Sequence, residues 1–110
     1  MKEILYTPNF SKEIKLLSKK YKSIKIDFQV ILEELILKDK IGTSLGGSFY
    51  KVRMKISDKN KGKSSGARII TFYKNEETIY LLSIYNKSEF QNISKEKIPS
   101  ILKEINLGKE

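Results

Sequence analysis

The chain has 110 residues, and we expect residues 1–110 to form a single domain. It contains no cysteine and no histidine, which excludes disulfides and removes the commonest metal ligand and the commonest general base. The 22 basic and 13 acidic residues give a net charge of +9. Any chemistry therefore depends on Lys, Arg, Tyr, Asp, Glu, Ser or Thr, and we expect no metal and no other cofactor.

The first part of the chain predicts a short strand and two helices. Residues 2–6 suit a strand, and Thr7 and Pro8 favour a helix start, with Thr7 as the N-cap and Pro8 in the first helical position. One apolar stripe with helical spacing follows at Phe10, Ile14, Leu17 and Tyr21. A second stripe predicts a helix from about residue 24 to 38 and consists of Phe28, Ile31, Leu32, Leu35 and Ile36.

The remainder predicts three strands and a closing helix. A glycine-rich connector spans residues 41–47, and strands are expected at 49–56, 67–73 and 78–85, with a polar loop at 57–66. Ser94 can cap a final helix. The expected fold is α+β with the order β-α-α-β-β-β-α, a small antiparallel sheet with helices packed on one face and the other face open.

No apolar run approaches the ~18 residues of a membrane span, and the N-terminal residues lack the pattern of a signal peptide. We therefore expect a cytoplasmic protein.

The positive charge is concentrated in one segment. Residues 48–74 carry eight basic residues and one acid, a net charge of +7, which leaves +2 for the rest. Lys51, Arg53 and Lys55 share one face of the predicted strand, roughly 6.5–7 Å apart, a spacing that suits successive phosphates of a nucleic-acid strand. Lysines that protect an edge strand against aggregation are the alternative interpretation.

Neighbouring residues favour nucleic-acid binding over edge protection. Arg68 lies on the next predicted strand, and Phe49, Tyr73 and Tyr85 are candidates for stacking on bases. The loop adds three lysines, Lys59, Lys61 and Lys63.

Three motifs together carry a family resemblance. They are YKVR at residues 50–53, NKGKSSGARII at 60–70 and IYLLSIYNKSE at 79–89. In this combination the chain resembles the RelE/HigB toxins of bacterial type II toxin–antitoxin systems, within the RelE/ParE superfamily. The resemblance implies a RelE-like fold and a toxin that is monomeric outside the complex with its cognate antitoxin.

The resemblance also implies an activity, the cleavage of mRNA in the ribosomal A site without a metal ion. In that reaction the 2′-hydroxyl attacks the adjacent phosphate and leaves a 2′,3′-cyclic phosphate and a 5′-hydroxyl. The implied partners are therefore mRNA and the ribosome as well as the antitoxin.

Carried over by position, the resemblance implies a catalytic set of Lys51, Arg53, Arg68, Lys87 and Tyr85. Arg53 and Arg68 would clamp the phosphate, and Lys51 or Lys87 would transfer protons, since a lysine crowded by like charges loses its proton more easily. Tyr85 would stack on a base or share in proton movement. From the charge pattern and the aromatic residues, rather than from the resemblance, we also expect Lys55, Lys59, Lys61, Lys63 and Tyr73 to bind RNA.

The sequence departs from the family pattern in two places. Some relatives carry an arginine where this chain has Ser88, and no tyrosine follows Tyr85. The donor of the leaving-group proton is therefore open. Glu89 could serve as a base or form a salt bridge with Lys87 or Arg68.

Two other functions stay open from the sequence. The same fold serves gyrase-inhibiting toxins that bind a protein, although those generally lack a dense phosphate-binding face. An RNA-binding module without turnover is the second alternative.

Overall fold

A computed structural model describes residues 2–59 and 66–88 of the chain. The described elements, in chain order, are β1 (Glu3–Tyr6), α1 (Pro8–Lys20), α2 (Ile24–Leu37), β2 (Thr43–Gly46), β3 (Phe49–Met54), a 3₁₀ turn (Ser57–Lys59), β4 (Ala67–Tyr73) and β5 (Thr78–Asn86). The predicted closing helix after Ser94 lies outside the described residues.

The strands form one sheet in the order β1-β5-β4-β3-β2. The predicted α+β class is confirmed, but the sheet is mixed rather than antiparallel, because β1 pairs with β5 in parallel. The other three pairings are antiparallel. The predicted glycine connector contains an additional edge strand, β2, which pairs with β3.

The start of α1 is as predicted. Thr7 is the N-cap, and its Oγ1 accepts a hydrogen bond from the backbone N–H of Phe10 at 3.2 Å. The same hydroxyl donates to the carbonyl of Leu81 on β5 at 2.8 Å. Pro8 occupies the first turn, where its missing N–H costs nothing. Thr7 therefore both begins the helix and fixes it to the sheet.

Side chains of α1 also complete the edge of β5. Pairing with β1 ends at Leu81, so the next backbone groups of β5 need other partners. Asn9 Nδ2 donates to the carbonyl of Leu82 at 2.8 Å, and Glu13 Oε1 accepts from the N–H of Ile84 at 3.1 Å. The helix thus takes the place of a longer edge strand.

The main core lies between the two helices and one face of the sheet, here called the helix face. Buried side chains from α1 and α2 meet buried side chains of β3, β4 and β5. From the helices they are Phe10, Leu17, Ile24, Phe28, Ile31 and Leu35, and from the strands Val52, Met54, Ala67, Ile69, Tyr73, Ile79, Leu81 and Ile84. Ile36, which the sequence placed in the inner stripe of α2, is exposed.

The opposite face of the sheet, here called the far face, is not fully open as predicted. Ile70, Leu82 and Tyr85 form a second buried cluster there, against Phe49 and other half-buried aromatic residues. β4 and β5 slip in register after Ile70. Tyr80 and Leu82 alternate onto the far face, and the extra residue on β5 lets Tyr85, three positions after Leu82, lie on the same face.

Among residues 2–59 and 66–88, the structure has no helix with the length and apolar character needed to cross a membrane.

Candidate functional site

Two arginines and a tyrosine align across three neighbouring strands. Arg53 on β3 is directly opposite Arg68 on β4, and Arg68 is directly opposite Tyr85 on β5. Directly opposite residues have their side chains on the same face of a sheet, with Cα atoms about 4.5–5.5 Å apart. The three side chains therefore form one row on the far face.

Two lysines flank this row on the side of Arg53, Lys51 on β3 and Lys55 one residue after the end of β3. Lys51 precedes Arg53 by two residues and is half-buried, whereas Arg53 and Lys55 are exposed. We call Lys51, Arg53, Lys55 and Arg68 the cation patch. Within the described ranges, 2–59 and 66–88, no ion pair involves Lys51 or Arg53.

Arg68 is the most confined member of the cation patch, with only 4% of the residue exposed. Its Nη1 donates to the carbonyl of Ala67 at 3.0 Å. Burial, and then the charge of Arg53, lower the pKa of Arg68, while Tyr85 opposes that shift. The guanidinium still keeps its proton under physiological conditions. A partly desolvated, fixed cation beside a second cation is well suited to binding an anion.

Lys87 follows β5 at the same end of the sheet. Its backbone N–H donates to the carbonyl of Gly66 at 3.0 Å, which ties the end of β5 to the start of β4. A Cβ added to Gly66 would lie only 2.1 Å from the carbonyl oxygen of Met54. Glycine is therefore needed for the close approach of these chain segments next to Arg53 and Arg68.

A buried amide, Asn86, organises the turn that contains Lys87. Asn86 is 1% exposed, and its Oδ1 accepts from Lys59 Nζ at 2.8 Å and from Ser88 Oγ at 2.9 Å. Its Nδ2 donates to the hydroxyl of Tyr21 at 3.2 Å. Lys59, predicted to bind RNA, is therefore engaged in the protein, and its ammonium also lies 5.6 Å from the centre of the Tyr21 ring.

The sequence did not single out Asn86. An asparagine beside a basic residue at a strand end looks like an ordinary turn residue. Its hydrogen-bond partners come together only in the folded chain. They are Tyr21 at the end of α1, Lys59 in the 3₁₀ turn and Ser88 after Lys87.

Tyr73 does not join the site. It lies on the helix face, is 4% exposed and packs edge-on against Tyr50 with ring centres 5.4 Å apart. Burial raises the pKa of its hydroxyl. A stacking role on RNA does not fit this position, because the sheet separates Tyr73 from the cation patch. Lys61 and Lys63 lie outside the described residues.

Aromatic side chains do flank the cation patch elsewhere on the far face. Phe49 is opposite Phe72, with ring centres 4.8 Å apart, and Phe72 is opposite Tyr80, with ring centres 6.4 Å apart. Phe49 was a predicted stacking surface, whereas Phe72 and Tyr80 were not. These three aromatic residues form a second row across the sheet, which crosses β3 at Phe49, two residues before Lys51.

A comparison with known protein families identifies a matching family. The family described as the RelE toxin of the RelE / RelB toxin-antitoxin system matches residues 10–106, most of the chain. The match begins at the third residue of α1 and includes the rest of that helix, α2 and every strand from β2 to β5. The family resemblance seen in the three sequence motifs is therefore confirmed.

Proposed function

Since the chain belongs to the RelE toxin family of toxin–antitoxin systems, we propose that it is a ribosome-dependent endoribonuclease that cleaves mRNA. The observation that carries this proposal is the alignment of Arg53, Arg68 and Tyr85 across three strands, with Lys51 beside them. Two guanidinium groups on directly opposite residues repel each other. An RNA phosphate between them would relieve that repulsion and receive two charge-assisted contacts.

The proposed reaction needs positioning, charge stabilisation and two proton transfers. The 2′-oxygen of one nucleotide attacks the adjacent phosphorus, and the bond from phosphorus to the 5′-oxygen breaks. One proton leaves the 2′-hydroxyl for a base, and another reaches the departing 5′-oxygen from an acid. The products are a 2′,3′-cyclic phosphate and a 5′-hydroxyl, so atoms and charge balance without an oxidant or a metal.

We propose a role for each side chain from its position on the sheet. Arg53 and Arg68 would bind the two non-bridging oxygens, whose negative charge grows in the transition state. Lys51 and Lys87 are the proposed proton-transfer groups. Tyr85, opposite Arg68, is buried, so its proposed role is to share a proton rather than to stack on a base. Lys55 would bind the neighbouring phosphate, because it follows directly after β3 and continues the alternation that places Lys51 and Arg53 on one face.

The test is to map the 5′ ends of transcripts after induced expression of the wild-type toxin and of the variant Arg53→Ala. Arg53 is exposed, so the variant should fold. The matched control is Lys12→Ala, which removes an exposed charge from the middle of α1. We expect cleavage within coding regions from the wild type and the control, and a loss of roughly 10²-fold or more in Arg53→Ala.

The same experiment distinguishes the alternatives. Intact transcripts in cells where the toxin is bound to ribosomes would favour RNA binding without turnover. DNA damage with intact transcripts would favour a gyrase-directed toxin. Full cleavage by Arg53→Ala would contradict the assignment of the cation patch.

A further inference from the structure

Helix α2 has apolar residues on both sides, and only one side is in the core. Ile24, Phe28, Ile31 and Leu35 are buried against the sheet and α1. Three more apolar residues point outwards, with exposed fractions of 73% for Ile26, 53% for Val30 and 82% for Leu37. A helix that is apolar all round is usually buried all round. Here the outward side is exposed among the residues that the structure describes.

The exposed residues form a seam with the spacing used for helix packing. Ile26, Val30, Glu33 and Leu37 are separated by four, three and four residues, which is the spacing of the core positions in a coiled coil. With a rise of 1.5 Å per residue, the seam is roughly 16 Å long. We call these four residues the α2 seam. Exposed apolar groups that share a face mark protein interaction sites more often than isolated ones do.

The chemistry of the α2 seam excludes nucleic acid as its occupant. Three of its four members are aliphatic, and the fourth, Glu33, is an acid that would repel phosphates. RNA binding is expected instead at the cation patch, which lies on the far face, whereas α2 packs on the helix face. The occupant of the α2 seam is therefore a protein.

A second copy of the chain is a poor occupant. An antiparallel pair of α2 seams would bury each Glu33 against an aliphatic side chain, and burying an unpaired carboxylate is costly. Each copy also carries a net charge of +9, so two copies repel each other at long range.

We propose that the α2 seam is a docking surface for an amphipathic helix of the cognate antitoxin. That helix would present aliphatic residues to Ile26, Val30 and Leu37 and a lysine or arginine to Glu33. The proposal rests on membership of a toxin–antitoxin family, and it does not depend on the cleavage of RNA. Because the α2 seam and the cation patch are on opposite sides of the sheet, the antitoxin would hold the toxin by a surface that is separate from the proposed active site.

The first test measures the affinity of the full-length toxin for the purified antitoxin encoded by the adjacent reading frame. Leu37→Ser should raise the Kd roughly 10- to 100-fold, which is the effect of losing one buried leucine from an interface. The matched control is Leu45→Ser on β2, which changes an exposed leucine of another element. We expect its Kd to stay within about twofold of the wild type.

A charge reversal tests the electrostatic part. Glu33→Lys makes the toxin more basic, which would strengthen its attraction to an acidic partner if charge acted only at long range. Direct pairing of Glu33 predicts the opposite, a Kd roughly tenfold higher. Glu76→Lys, in the exposed turn between β4 and β5, is the control and should leave the Kd unchanged or lower.

Amide hydrogen exchange locates the contact. In the complex, residues 26–37 should exchange more slowly than in the free toxin. Three results would overturn the proposal: an unchanged Kd for Leu37→Ser, equal weakening by Leu45→Ser, or a free toxin dimer that Leu37→Ser converts to monomers. The last result would identify a second copy as the occupant. None of these results bears on RNA cleavage, so this proposal and the proposed function can fail separately.

Discussion

Replacing Asn86 with leucine should destabilise the protein by removing hydrogen bonds at the end of the sheet that carries the proposed active site. The side-chain oxygen of Asn86 accepts hydrogen bonds from Lys59 Nζ and from both the backbone N–H and the hydroxyl of Ser88. Its side-chain nitrogen donates to the hydroxyl of Tyr21. Leucine has a similar volume but satisfies none of these groups. The variant therefore tests hydrogen bonding with little change in packing.

The magnitude follows from the burial and the partners of the amide. A neutral hydrogen bond contributes about 0.5–1.5 kcal/mol and one to a charged group about 1.5–3 kcal/mol. Lys59 is half-buried and Ser88 is exposed, so in the variant water replaces part of the hydrogen bonding that these two residues lose. We expect Asn86→Leu to lower the free energy of unfolding by roughly 2–4 kcal/mol, and the melting temperature by roughly 10–20 °C.

The control is Asn86→Asp, which keeps an acceptor for Lys59 and Ser88 and can accept from the hydroxyl of Tyr21. Its loss should be below about 1 kcal/mol, because a carboxylate also attracts the Lys59 ammonium. Urea denaturation followed by circular dichroism measures both variants. Equal losses in the two variants, or no loss in Asn86→Leu, would refute the interpretation of Asn86 as a hydrogen-bonding centre.

Three further predictions concern the rest of the framework. Thr7→Ala should cost about 1–2 kcal/mol by removing the N-cap of α1, and Thr7→Ser should restore most of it, as measured by urea denaturation. Gly66→Ala should cost at least about 2 kcal/mol because its Cβ would collide with the carbonyl of Met54, as measured by thermal melting. Arg53→Gln should stabilise the protein by about 0.2–1 kcal/mol, because it removes a like charge directly opposite Arg68, while RNA cleavage falls.

Each of these has a result that would contradict it. For Thr7, equal stability of the alanine and serine variants would mean that the hydroxyl does not cap α1. For Gly66, an unchanged melting temperature would mean that the backbone at Gly66 can move away from the carbonyl of Met54 without loss of stability. For Arg53, a loss of stability in Arg53→Gln would mean that repulsion from Arg68 does not dominate at this position. Added salt is a weaker test, because Arg68 is buried and a partly buried pair is screened less.

Local signals in the sequence were sufficient for the helices and for the cationic strand. Thr7 and Pro8 mark the start of α1 through capping chemistry that acts within one turn, and the alternation from Phe49 onwards sets the two faces of β3. The family motifs identified the class of toxin. These features depend on residues close together in the chain, which is why they could be read from it.

Features that depend on distant pairings could not be predicted. The parallel pairing of β1 with β5 joins Ile4 to Ile79 and leaves no local trace. The hydrogen bonds of Asn86 likewise need the final register. Tyr73, in contrast, could have been assigned correctly, since it is five residues from Arg68 on one strand, and an odd separation places two side chains on opposite faces.

The chemical nature of the RNA ends tests the central proposal most directly. Purified toxin would be added to ribosomes programmed with a defined mRNA, and the cleaved fragments analysed for their end groups. We expect a 2′,3′-cyclic phosphate and a 5′-hydroxyl at a cut in the A site, produced by the wild type and by Lys12→Ala but not by Arg53→Ala. An intact mRNA with the wild type, or fragments with a 5′-phosphate, would contradict it.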